Sequence, residues 1–202
     1  MNLYIQSVAV IRNQSVLKNG AIVFQSQETD INLFLRSVYN SLELSYPKFH
    51  KMDNLNKLGW LAAEILLQDI EIDSLDKVST GILLANKSSS LDTDERYLES
   101  TKTIPSPALF VYTLPNIVNG EICIRHGLKG ENTFFVNDSF DITFMHHYTK
   151  QLFESESVNA CIVGWVEQYH KHYEAALYLI QKEKAGIALP FTIKEVEKFY
   201  EQ

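Results

Sequence analysis

The chain has 202 residues, 46% hydrophobic and 21% charged, which is the balance of an ordinary globular protein with length enough for one sizeable core. Its 25 acidic against 18 basic residues give a net charge of −7, so a phosphate backbone or an acidic membrane surface would be repelled, and neither is expected as a partner. No apolar run approaches the roughly 20 residues of a membrane span, and Met1–Gln6 has no basic signal-peptide start. Cys123 and Cys161 stand far apart in apolar surroundings and form no C-x-x-C pair. They read as small core hydrophobes of a reduced, cytoplasmic compartment.

The chain opens with a pair of strands. Val8, Val10 and Ile11 supply β-branched density, Asn19-Gly20 marks a turn, and Ala21–Phe24 resumes the extended pattern. Leu33, Phe34, Val38 and Leu42 recur near helical spacing and predict a helix over Ile31–Leu42. Asp53 is the expected N-cap of a second helix. There Leu55, Leu58, Ala62, Ile65 and Leu66 form a stripe that Trp60, Leu61 and Leu67 widen, so this helix is buried on more than one side. Val78–Ala85 is a nearly unbroken apolar run, the pattern of a strand covered on both faces.

After the polar loop Asn86–Ser90, Asp92 is the expected cap of a short helix reaching Tyr97. Pro105 and Pro107 frame a loop into Ala108–Val111, and a helix is predicted over Leu114–His126 with Pro115 in its first turn. Gly127 and Gly130 punctuate a turn into the strand Thr133–Val136. Asp138 or Ser139 then caps a helix whose buried face is read as Phe140, Phe144, Tyr148 and Leu152. Asn159–Val166 is a second solid apolar strand, His170–His172 a hairpin connection into Ala175–Ile180, and Thr192–Glu195 a capping box that starts the last helix. Strands alternating with helices predict one α/β domain over 1–202, with helices on both sides of the sheet.

Isolated chemistry is sparse. His170-x-His172 on a strand would put two rings on one face, but no third metal ligand lies nearby in sequence. Asp92-Thr93-Asp94-Glu95 lacks the glycine and spacing of a calcium loop and reads as an acidic helix start. No phosphate-binding glycine motif is present, and neither a metal nor a cofactor is implied.

Four blocks in order carry a resemblance. Gly81–Asp94 resembles a strand and loop of the β-ketoacyl synthases, and Ser106-Pro107-Ala108-Leu109-Phe110 followed by Asn116 and Gly120 is similar to the S-P-x-x-F…N block of their N-terminal half. Gly127-Leu128-Lys129-Gly130 resembles the turn before the nucleophile strand, and Ala160–Gly164 the strand that closes that half. The resemblance implies a thiolase-like half-fold: three layers, α-β-α, around a mostly parallel mixed sheet. It marks Asn116, Gly127, Gly130 and Gly164 as structural positions, and Thr133, Phe134, Phe135 and Val136 as a strand that pairs across a two-fold axis.

In the family the nucleophilic cysteine follows the glycine turn by nine residues, which here is Ser139; counting back twenty-five from Gly164 gives the same residue. A helix start lowers a thiol pKa, but a hydroxyl needs an adjacent base, and Asn137-Asp138-Ser139-Phe140-Asp141 supplies acids instead. The family's catalytic histidines lie in a second half with no counterpart here. The resemblance thus implies a non-catalytic, chain-length-factor-like subunit. It would pair with an active ketosynthase or with itself, possess no cofactor, and serve an acyl carrier protein's chain elongation. The short ketosynthase-like proteins of aryl-polyene and flexirubin-type pigment clusters are the nearest parallel. The alternative is an acyltransferase or decarboxylase that uses Ser139.

Overall fold

Three strands, not two, open the chain. In the computed structural model, which describes residues 1–202, β1 (Tyr4–Arg12), β2 (Ser15–Lys18) and β3 (Ala21–Gln25) form an antiparallel meander. The extra turn is Asn13-Gln14, both residues at positive φ (48° and 56°). A turn that takes the left-handed region without glycine leaves no strong sequence signal.

These strands extend a mixed sheet of eight, ordered β3-β2-β1-β7-β6-β4-β5. Its remaining members are β4 (Thr80–Asn86), β5 (Asn132–Val136), β6 (Ala160–Tyr169), β7 (His172–Gln181) and the two-residue β8 (Leu189–Pro190), which flanks the start of β1. β4 pairs in parallel with β5 and β6, while β7 runs against both β6 and β1. Hence β1, β4, β5 and β6 share one direction, as expected. Parallel ladders, however, occur only on the two sides of β4, because the tight Tyr169–His172 hairpin returns β7 antiparallel beside β6.

Helices cover both faces. On one lie α1 (Ile31–Ser41), α2 (Asn54–Leu67) and α5 (Ile117–His126), against Ala9, Ile11, Ile82, Leu84, Ile162, Val166 and Leu177. The alternate residues Val8, Val10, Leu83, Val163, Trp165, Ala176 and Tyr178 face α6 (Ile142–Glu154) and α7 (Ile193–Tyr200). This alternation along strands covered on both sides gives the three layers. α2 is the central helix: every residue but Glu64 is buried, and Asp53 caps it, accepting from the Asn56 N–H at 2.8 Å. α3 (Leu91–Ser100) and α4 (Pro107–Val111) form an excursion between β4 and α5.

Several boundaries differ from expectation. α3 begins behind Ser90, so Asp92 sits in its first turn, and the helix runs on to Ser100. Pro115 lies in the turn before α5, whose N-cap is Asn116. α6 is capped by neither Asp138 nor Ser139: the Asp141 carboxylate accepts from the Phe144 N–H at 2.8 Å. Its buried face falls on Met145, Thr149, Leu152 and Phe153, while Phe144 and Tyr148 turn towards the sheet edge.

Candidate functional site

The carboxyl ends of β1, β4, β5 and β6 lie together, the end at which open α/β sheets bind ligands. A cleft of about 380 Å³ opens there, lined by Lys87 and Ser88 after β4, Asp138, Ser139 and Phe140 after β5, Glu167 and Tyr169 from β6, His172 and Glu174 from β7, and Tyr200 at the end of α7. Trp165 completes it.

The strand register builds the cleft floor. Arg12 is opposite Glu174 across β1 and β7, and Glu174 is opposite Glu167 across β7 and β6, so the three form one row on the α6/α7 face. Glu167 is only 3% exposed, and its Oε2 accepts from the backbone N–H of Lys87 at 2.7 Å and of Ser88 at 3.0 Å. The loop's free donors are therefore already filled by the chain's own carboxylate. Glu174 Oε1 accepts from Trp165 Nε1 at 3.0 Å and from the Tyr200 hydroxyl at 2.8 Å. Burial pushes the Tyr200 phenol up, and the adjacent Glu174 adds to this, so the hydroxyl stays a donor. The Arg12 guanidinium lies 4.7 Å from the Tyr200 ring centroid.

Ser139 is exposed in the bend between β5 and α6, two residues before the helix cap. The positive end of α6 acts on the Asp141 carboxylate, which occupies it. Ser139 shares the cleft with His172, yet no hydrogen bond joins them. Neither cysteine is near. Cys161 is fully buried at the opposite end of β6, ~20 Å of strand from Glu167 at about 3.3 Å per residue. Cys123 is half-buried on α5 and accepts from Asn132 Nδ2 at 3.6 Å. Burial pushes both thiols up, away from the thiolate.

The other positions marked by the resemblance lie before β5, in β5 and in β6. Gly127 ends α5 at φ +72°, the left-handed C-cap conformation, and any side chain on Gly130 would overlap the Thr80 carbonyl. Gly164 lies in β6 directly opposite Leu177. Thr133, Phe134, Phe135 and Val136 form β5, which pairs only with β4 and so leaves one edge open. Phe135 packs edge-on against Phe144 and Tyr148, with ring centroids at 4.9 and 5.2 Å. Asn119, which the sequence did not single out, ties α5 to this edge by donating to the Thr133 carbonyl at 3.0 Å. His170 sits in the hairpin turn at φ 51° rather than on a strand beside His172, and no cluster of three or more metal-ligating side chains is present.

No protein-family model and no curated protein matches the chain. Solved structures do. An ishigamide ketosynthase/chain length factor superposes with a TM-score of 0.69 at 18% identity, over 94% of this chain and 64% of that one. The chain has the ketosynthase fold. A ketosynthase in complex with its chain length factor from Xenorhabdus doucetiae matches at a TM-score of 0.58 and 12% identity, over 91% of this chain and 80% of that one. A β-ketoacyl synthase from Burkholderia phymatum matches at 0.61 and 10%, over 90% and 59%. The chain thus spans less than two thirds of the ishigamide and Burkholderia proteins. Within this thiolase-like fold, β5 and α6 are the strand and helix on either side of Ser139. No helix is long and apolar enough to cross a membrane.

Proposed function

We propose that the protein is a non-catalytic, chain-length-factor-like subunit that assists acyl or polyketide chain elongation by pairing with an active 3-oxoacyl synthase. The observation that supports this reading is just before α6, at the position where the sequence resemblance puts the family's nucleophile. There stands the hydroxyl of Ser139, hydrogen-bonded to no base, with the helix N-terminus already occupied by Asp141. A hydroxyl in that setting is not ionised by a helix dipole alone.

The surface supports a partner. The open edge of β5 carries the exposed Val136, and unpaired strand edges are templates for pairing with another chain. Further exposed apolar side chains gather on the α3–α4 excursion and the turn after it: Leu98, Ile104, Phe110, Val111 and Leu114. The partner in this reading covers the exposed apolar side chains of that segment. In this reading the partner is a ketosynthase subunit, an acyl carrier protein is handled by the pair, and the pathway is of the aryl-polyene or flexirubin type. Co-expression with candidate ketosynthases tests it: a stable heterodimer is expected, and a monomer in the presence of all of them would contradict it.

A second reading rests on one observation, the shared lining of Ser139 and His172 in a single cleft. An acyltransferase or decarboxylase would use Ser139 as acyl acceptor once His172 moved into hydrogen-bond reach. A covalent acyl adduct on Ser139, detected by intact-mass spectrometry after incubation with acyl thioesters, would favour this reading over the first.

A further inference from the structure

A second cavity, of about 610 Å³, lies at the other end of the sheet, around the start of β1. Its volume is within the range of small-molecule sites, roughly 300–1,000 Å³. Leu3 and Tyr4 form one wall, Pro190, Phe191 and Ile193 another, and His146 and Lys150 of α6 a third, with Lys184 arriving from the loop after β7. The His146 ring is held in place: Nε2 lies 3.1 Å from the Phe191 carbonyl oxygen, and the ring centroid is 4.8 Å from that of Phe191.

The electrostatics of this cavity run against those of the whole chain. The protein carries a net charge of −7, yet no Asp or Glu lines the cavity, while two lysines do. Neither lysine forms an ion pair, although other lysines of the protein do. The Lys184 ammonium lies 5.1 Å from the Tyr4 ring centroid, which keeps it over the apolar wall. Two uncompensated cations beside a concave apolar surface are the complement of an anionic head on an apolar body.

We propose that this cavity binds a small organic anion, its apolar body against Leu3, Tyr4 and Phe191 and its carboxylate or phosphate between Lys150 and Lys184. The inference is independent of what the Ser139 cleft does. Isothermal titration of the full chain with octanoate, octyl phosphate and uncharged octanol tests it. Both anions, or one of them, are expected to bind measurably tighter than octanol, and the comparison identifies the preferred head group. Lys150→Gln and Lys184→Gln are each expected to weaken anion binding about tenfold, the loss of one charge-assisted hydrogen bond, while Lys51→Gln on the far surface leaves it unchanged. Circular dichroism and thermal melts of the variants check that these surface changes leave the fold intact. Equal affinity for octanol and octanoate, no binding of either anion up to millimolar concentration, or anion binding indifferent to both lysine substitutions would each overturn the proposal.

Discussion

Glu167 and Lys87, eighty positions apart, are joined by a 2.7 Å hydrogen bond from the Lys87 backbone N–H to the Glu167 carboxylate. With its companion from Ser88, it clamps the loop after β4 onto the end of β6 and fixes the rim of the Ser139 cleft. Glu167→Ala would leave two N–H groups without their charged acceptor. The expected loss of stability is about 3 kcal/mol, given that hydrogen bonds to charged groups contribute roughly 1.5–3 kcal/mol each and overlap in effect. Urea unfolding measures it, and Glu167→Gln, which keeps one acceptor oxygen, is expected to lose less.

Asp141 and Ser139 are distinguished by a pair of substitutions. Asp141→Ala removes the cap of α6 and is expected to cost about 1 kcal/mol. Ser139→Ala, outside the cap, is expected to change stability by less than about 0.5 kcal/mol. Equal losses in thermal unfolding would mean that Ser139 caps the helix after all.

Glu64, the one partly exposed position of α2, receives the Arg125 guanidinium through two hydrogen bonds of 2.8 and 3.1 Å, with His126 Nε2 at 3.1 Å. Burial, the largest single influence, pushes its carboxyl up, but the hydrogen bonds and charges of His126 and Arg125 outweigh it and hold the group below the ordinary glutamate value. A depressed carboxylate stabilises the fold above its unfolded pKa, about 4.3, and loses that contribution as pH falls through the lower folded value. Glu64→Gln is therefore expected to be less stable than wild type by about 1–3 kcal/mol at pH 7, with the difference shrinking below about pH 4. A constant difference from pH 7 to pH 2 in urea titrations would contradict the assignment.

Val136 is 55% exposed on the open edge of β5. A lysine there blunts an edge strand with little effect on a monomer, so Val136→Lys is expected to weaken association with a partner at least about tenfold and to shift monomer stability by less than about 0.5 kcal/mol. Analytical ultracentrifugation of wild type and variant reads both the association and its loss.

The parts of this structure that were legible in sequence are those where one local force dominates. β4 announced itself because a strand buried on both faces must be apolar throughout, and α2 because its stripe wraps most of the helix. The start of α6 was not, since Asp138, Ser139 and Asp141 are all good caps and only the packing of Met145, Leu152 and Phe153 on the sheet selects the last. The first hairpin was hidden by a turn without glycine. The cleft floor was invisible for a different reason. Arg12, Glu174 and Glu167 are brought into one row by the register of three strands, and register is a tertiary property. One signal did exist: a glutamate directly after the apolar run Ala160–Val166, which, once buried in the same strand, had to be paired or functional.

In the proposed function Ser139 is no nucleophile. Purified protein incubated with an acyl thioester and a malonyl thioester, without any partner, is the direct measurement, read as 3-oxoacyl product by mass spectrometry. No product above the uncatalysed background is expected, from wild type and from Ser139→Ala alike. Condensation by the wild type that disappears in Ser139→Ala would contradict it.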